Sequence, residues 1–340
     1  MNKHSNYDLA QMQSLPLEAK IRMTKQRIQE WYEAWDGMVY VSFSGGKDST
    51  VLKHIVDGMY SDVPSLFVNT GLEYPEIQRF AMSQKNVVTV RPEMRFDEVI
   101  KKHGYPVVSK AVAHSVRIAR RNPQGLVAKN VFDSNKKGRF AFSKYKPLLE
   151  SDFESSDECC NVMKKKPSRK YAKETGRKPI LGTMANESSL RYSSWLKHGC
   201  NAFESKTPSS QPLSFWTEQD IYHYLKKYNV PYCSVYGDIV VDDKAPDAIE
   251  GQVNLIDYLD CHEETDKLKT TGCDRTGCIF CMFGCHLEKE PNRFQRLKET
   301  HPRQYEYCIG GGEMVDGKWQ TSKEGLGLGH VLDYIGVKYD

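Results

Sequence analysis

The 340-residue sequence predicts an α/β fold built on a doubly wound, mostly parallel sheet. Three observations carry this. Apolar runs at 38–44, 65–69 and 87–90 have strand composition, and stretches at helical spacing separate them. Strands that alternate with helices pair in parallel, with helices on both faces. The first run ends in Ser44-Gly45-Gly46-Lys47-Asp48-Ser49, a tight glycine turn that opens a helix. In such sheets the carboxyl ends of the strands border the ligand crevice.

The elements follow in order. Leu17, Ile21, Ile28, Trp31, Tyr32 and Trp35 recur at helical spacing, which predicts a helical lead-in over 1–35 packed on the sheet. After the first strand comes a helix over 48–59. The second strand leaves into Thr70-Gly71-Leu72-Glu73-Tyr74-Pro75-Glu76, which opens a helix through Phe80. Residues 104–150 hold a basic helix between turn segments and read as an insertion or lid. Pro179–Ala185 is a further strand and glycine turn, and Glu187, Arg191 and Trp195 share a helix that stops at Gly199. Thr217 caps a helix with an acidic first turn, which Asn229-Val230-Pro231 ends. Residues 240–270 form an acidic connector. Phe294, Leu297, Tyr305 and Tyr307 mark a helical tail, and the glycine-rich 325–329 has no evident role. The expected plan is a lead-in (1–35), a nucleotide-binding α/β domain (36–238) and a cysteine-rich C-terminal region (239–340).

No run of 18 apolar residues exists, so no membrane helix is expected, and the polar N-terminus lacks a signal-peptide core. A cytoplasmic protein is the expectation. Net charge is only +4, yet Ser109–Lys146 carries ten Lys or Arg residues against one acid, Asp133. A second basic cluster spans 164–178. Such runs are either solvated faces or surfaces for a polyanion, a nucleic acid or a multiply phosphorylated nucleotide.

The glycine turn is a natural phosphate cradle. Gly45 and Gly46 let backbone N–H groups approach an anion, and the helix N-terminus adds about half a positive charge. Lys47 adds a full charge, Ser44 and Ser49 offer hydroxyls, and Asp48 can hold Mg²⁺ or cap the helix. The spacing is not that of a Walker A loop. Thr70, Gly71 and Glu73 leave a strand C-terminus, as does the turn at Gly182, so these are expected to border one site. Glu187 and Arg191, at i and i+4, make either a surface ion pair or a nucleotide-facing pair.

Ten cysteines in a reducing compartment favour metal or a cluster over disulfides. Cys273, Cys278 and Cys281 form C-x4-C-x2-C, and a single C-x2-C pair favours a 4Fe-4S cluster over zinc. The fourth ligand is open between Cys285 and a distant cysteine.

The Ser44–Ser49 hexapeptide resembles the PP-loop of the ATP pyrophosphatase superfamily. Taken in order with the 70–76 loop, Cys159-Cys160 followed by Lys164-Lys165-Lys166, and Gly182-Thr183-Met184-Ala185-Asn186-Glu187-Ser188-Ser189-Leu190-Arg191, it is similar to the phosphoadenosine phosphosulfate (PAPS) reductase family over about residues 36–285. Within that family, adenylylsulfate reductases carry Cys-Cys and a later Cys-x-x-Cys around a 4Fe-4S cluster. DNA phosphorothioation sulfurtransferases of the DndC type place one cysteine first and three later. The resemblance implies cluster ligands Cys160, Cys278 and Cys281, with Cys273 favoured as the fourth and Cys159 or Cys285 as substitutes. It implies an adenine nucleotide, ATP or a sulfonucleotide, with Mg²⁺, and it names Lys47, Asp48 and Cys308 as catalytic candidates. The reductases end in a redox cysteine that attacks substrate sulfur. Here the last cysteine is Cys308, and the tail from Val331 to Asp340 has none. Three readings follow: an ATP-using sulfurtransferase acting on a nucleic acid, with a sulfur-donor protein; a sulfonucleotide reductase releasing sulfite; or a non-catalytic nucleotide-sensing subunit. An oligomer is open.

Overall fold

The computed structural model of the chain describes residues 2–135, 138, 141–242 and 266–340. Lys136, Lys137, Arg139, Cys261 and most of the expected acidic connector lie outside them. The chain divides into two compact units: Met1–Val68 with Tyr74–Val90 and Ser168–Thr276, and Asn69–Glu73 with Arg91–Pro167 and Gly277–Asp340.

The first unit is the expected α/β fold. Its sheet strands are β1 (Val39–Ser42), β2 (Ser65–Val68), β3 (Val87–Val90), β4 (Lys178–Leu181), β5 (Asn201–Ala202) and β6 (Ser209–Ser210). They lie in the order β3-β2-β1-β4-β6-β5, parallel throughout except for β5 against β6. β1 sits at the centre because both of its faces are apolar: Val39 and Val41 are fully buried on one side and Tyr40 on the other. Helix α1 covers Asn6–Gln13, α2 Leu17–Ala34, α3 Lys47–Met59 and α4 Pro75–Ser83. α3 packs Val51, Leu52, Ile55 and Val56 into the same core as Val39, Val41, Phe67 and Ile180.

The lead-in belongs to this unit through α2. Ile21, Ile28 and Trp31 enter the main core. Thr24 Oγ accepts a 2.8 Å bond from Trp216 Nε1. Lys20 Nζ, 3% exposed, donates to both carboxylate oxygens of Asp220 at 2.9 and 2.8 Å. Breaking such a buried pair by removing one partner costs about 3–5 kcal/mol, so it pins α2 to the helix Glu218–Lys227.

One element differs from expectation. Glu187 does not share an α-helix with Arg191 and Trp195; it closes a 3-10 turn, Ala185–Glu187. The Ser188 hydroxyl accepts from Arg191 N at 3.3 Å and takes the N-cap, so the α-helix begins at Ser189 and ends at His198.

The second unit is mainly helical, with helices Phe96–His103, Lys110–Arg121, Leu126–Val131, Arg293–Thr300, Pro302–Ile309 and Leu328–Tyr334 and a hairpin of Glu313–Val315 with Lys318–Gln320. Tyr105, Phe153, Phe294, Leu297, Leu328, Val331 and Leu332 are buried in it. The glycine-rich segment has a packing reason here. Gly311 has φ +69°, and a Cβ on it would stand 2.3 Å from Gly325 N, so the two backbones cross where only glycine fits.

Candidate functional site

The sheet order locates the site before any side chain is considered. β2 and β3 run out on one side of β1, and the chain then returns to place β4 on the other. The loops after β1 and β4 therefore part at this switch point and leave a crevice. A cavity of about 260 Å³ lies there, lined by Ser44, Gly46, Asp48 and Ser49 from one loop and by Gly182 and Thr183 from the other.

The glycine turn is held by its own hydroxyls. Ser49 Oγ accepts from Ser44 N at 3.2 Å, stands 3.0 Å from Ser44 Oγ and donates to Gly46 O at 2.9 Å. Gly45 has φ +74°, which favours glycine. Gly46 precedes α3 with no capping side chain; Lys47 N is taken by the Tyr236 hydroxyl, so the first-turn amides without a cap are those of Asp48 and Ser49. Gly182 allows the second loop to close on the first, since a Cβ there would meet Asp48 O and Ser49 Cα at 3.1 Å.

The charged groups are arranged differently from the sequence expectation. Lys47 is 4% exposed. Its ammonium donates to Glu218 Oε1 at 2.8 Å and to Asp274 O, with the Tyr222 and Tyr236 ring centroids 5.2 and 5.5 Å away. Asp48 keeps Oδ1 buried with no hydrogen-bond partner among the described residues. Burial raises its carboxyl above the ordinary carboxylate value, against the pull of Lys47, Arg275 and Arg191. That combination suits a cation or a ligand N–H.

Arg191 pairs with Glu187 as its spacing allows, and Arg275 reaches the other oxygen of the same carboxylate. One carboxylate thus holds two guanidiniums in the wall of an anion-sized cavity. Burial, then the neighbouring Arg275, lowers Arg191 below its ordinary value. Arg275, Thr276 and Tyr236 are lining residues that sequence reasoning missed. Arg275 and Thr276 stand between Gly272 and Gly277, and that glycine-bounded turn was a usable signal; nothing local marks Tyr236. The Tyr236 hydroxyl, pushed up to about 12 by burial, accepts from Lys47 N at 3.2 Å and lies 2.6 Å from Thr276 Oγ.

The remaining expected residues lie in the second unit. Thr70, Gly71 and Glu73 belong to its segment Asn69–Glu73. Glu73 closes this loop on itself by accepting from Thr70 N at 3.0 Å and Thr70 Oγ at 2.7 Å. Leu72 O accepts from Ile279 N at 2.8 Å, which ties the loop to the cysteine segment. Cys159 and Cys160 precede a π-helical turn, Asn161–Lys165. Cys159 feels the charge of Cys278, Cys160 and Cys281, and burial raises its thiol strongly. Lys164 stands beside Cys278, Cys160 and Glu73. Cys285 neighbours Cys281, whereas Cys273 belongs to the first unit, near Cys233. Among the described residues, no three His, Cys, Asp or Glu side chains stand grouped to hold a metal ion. Cys308 is fully buried in its helix, and burial raises its thiol well above the ordinary value.

The basic clusters are partly spent inside the protein. Arg117 pairs with Asp157 at 2.8 Å. Arg120 donates to the carbonyls of Leu149, Ser151 and Phe153. Arg177 donates to Gly37 O and Val39 O at 3.2 and 2.9 Å. Lys110, Arg121 and Lys129 face solvent.

Residues 38–111 and 119–283 match the phosphoadenosine phosphosulfate reductase domain, well over half of the chain. The chain belongs to the PAPS reductase family. Nucleotide binding comes with that membership. An uncharacterised protein of Methanocaldococcus jannaschii is 30% identical over 96 residues, which span 26% of this chain and 23% of that relative. Among solved structures, the phosphate complex of phosphoadenylyl-sulfate reductase from Candida auris is 16% identical, covers 68% of this chain and 90% of its own, and has a TM-score of 0.37. FMN adenylyltransferase from Candida glabrata is 14% identical, covers 68% and 65%, and has the same TM-score of 0.37. No helix among the described residues is long and apolar enough to cross a membrane.

Proposed function

We propose that this PAPS reductase-family chain uses ATP to activate an acceptor for sulfur transfer, with release of pyrophosphate. The observation that carries the reading is the pair Arg191 and Arg275 on Glu187, set beside the glycine turn and the α3 N-terminus. Two guanidiniums and the uncapped amides of Asp48 and Ser49 would serve a polyphosphate chain. Asp48, with one buried and unpartnered oxygen, would hold the Mg²⁺ that accompanies it. An acceptor oxygen attacks the α-phosphorus, the bond to the bridging oxygen breaks, and pyrophosphate leaves with its charge neutralised by these groups. Sulfur supplied by a donor protein then displaces AMP from the acceptor. Exposed Lys110, Arg121 and Lys129 support a nucleic-acid acceptor.

Cys159, Cys160, Cys278 and Cys281 have the donor chemistry for a soft metal or a 4Fe-4S cluster, but no three potential ligands stand grouped among the described residues, so the cluster reading rests on donor chemistry alone. Cys160, Cys278 and Cys281 remain the expected ligands, with Cys159 in place of Cys273 as the fourth within the second unit. Lys164, beside Cys278 and Cys160, would offset thiolate charge. When bound, such a cluster supplies a soft iron centre for sulfur. A thiol-dependent reductase is the second reading. It is supported by the same guanidinium pair, which suits a sulfonucleotide equally, and opposed by the burial of Cys308.

The test uses anaerobically purified protein. ATP-dependent pyrophosphate release that rises with added nucleic acid and is lost in Arg275→Ala supports sulfur transfer. Sulfite release from adenylylsulfate with a thiol donor overturns it in favour of the reductase. Visible absorbance that bleaches on reduction and is lost in Cys278→Ser supports the cluster; zinc on metal analysis, without colour, overturns it.

A further inference from the structure

A second cavity, of about 290 Å³, lies within the second unit and shares no residue with the nucleotide crevice. It approaches the lower end of ordinary small-ligand pockets, about 300 Å³. Its walls come from segments far apart in sequence: Val108, the 3-10 helix Ser143–Leu149, the turn Cys285–Leu287 and the end of the helix Leu328–Tyr334.

Two features mark it as more than a packing defect. Val108 lies at φ +58°, where a β-branched side chain is strained. Strain of this kind persists where the surroundings enforce it and clusters at ligand sites. The enforcing bond is present: Val108 O accepts from Gly284 N at 2.8 Å, which fixes the turn that carries His286.

His286 is the second feature. Its Nε2 lies 3.3 Å from the Tyr145 hydroxyl, and its Nδ1 is buried with no hydrogen-bond partner among the described residues. In the tautomer in which the tyrosine hydroxyl donates to Nε2, Nδ1 carries the ring hydrogen and is a donor without an acceptor; this is the tautomer that a bound carboxylate selects. Buried donors are almost always paired. Lys144 sits beside it, its ammonium 5.8 Å from the Tyr145 ring centroid. Leu148, Pro147, Val108 and Ile335 make the rest of the wall apolar.

We propose that this cavity binds a small carboxylate with an apolar body, its carboxylate accepting from His286 Nδ1 and facing Lys144, and its body lying against Leu148 and Ile335. The donor calls for an acceptor, the lysine calls for negative charge, and the walls call for an apolar remainder.

The probe is benzoate, titrated into the full-length chain by calorimetry and followed at the histidine ring resonances. The expected result is saturable binding that shifts one histidine, identified as His286 by its loss in His286→Gln. Affinity should fall about tenfold or more in Lys144→Gln. Benzyl alcohol keeps the ring without the charge, and inorganic phosphate keeps charge without the ring; both should bind at least about tenfold more weakly than benzoate. Absence of saturable binding, equal binding of either control, or unchanged affinity in Lys144→Gln would overturn the proposal. Lys144 is exposed, so its variant decides the matter even where His286→Gln fails to fold.

Discussion

Lys47 Nζ lies 2.8 Å from Glu218 Oε1, with the lysine side chain 5% exposed and the glutamate 48% exposed. The residue that local sequence marks as the phosphate ligand is thus balanced by a carboxylate 171 positions away. Replacing Glu218 with Gln removes that counter-charge and keeps the shape. Affinity for tripolyphosphate should rise about fivefold, in line with a half-exposed pair worth about 1 kcal/mol. Calorimetry measures it, and weaker or unchanged binding would show that the Lys47 charge does not act on the ligand.

Arg275→Ala tests the guanidinium that sequence reasoning missed. Arg191 would remain on Glu187, but a charge-assisted contact to the phosphates would be lost. Affinity for ATP should fall about tenfold, that is by about 1.4 kcal/mol, with little change in melting temperature because Arg275 is 60% exposed. A large loss of stability with affinity intact would make Arg275 a structural residue.

Asp48 gives a pH signature. Burial raises its carboxyl above the unfolded value of 3.8, so the folded state favours the proton. Its contribution to stability is fully present below that value and is lost as pH rises through the raised one. Asp48→Asn, which stays neutral, should therefore melt higher than the parent at neutral pH. The gap should close as pH falls toward 3.8. Differential scanning across that range checks the sign, and a gap that widens on acidification would contradict it. The same variant should lose Mg²⁺-dependent nucleotide affinity.

Cys308 should behave as a core residue. Burial holds its thiol protonated, so a thiol reagent should label it only as the chain unfolds. Cys308→Ala should cost about 1–2 kcal/mol in denaturant unfolding and leave nucleotide affinity unchanged. Labelling in the native state at the rate of an exposed thiol would restore it as a redox candidate.

Much of the fold was legible because it rests on local chemistry. Alternating apolar runs set β1, β2 and β3, the Gly-Gly turn set the start of α3, and Thr217 set the start of the helix Glu218–Lys227. Periodicity alone puts Glu187 in the helix of Arg191, yet it lies two residues before the first helical residue, Ser189, because the N-cap at Ser188 depends on a hydroxyl rather than on periodicity.

The sequence by itself determined the parallel sheet, the glycine turn that opens α3 and the family, since propensity, glycine placement and motif order act within a few residues of each other. Tertiary structure alone decided the partners. It put Glu218 on Lys47, Arg275 on the Glu187 carboxylate 88 positions away, Cys159 beside Cys278, and Cys308 out of solvent. Each of these depends on which distant segments pack together and on how much water they exclude. Charge balance and thiol reactivity follow from that packing, and no local spacing encodes it.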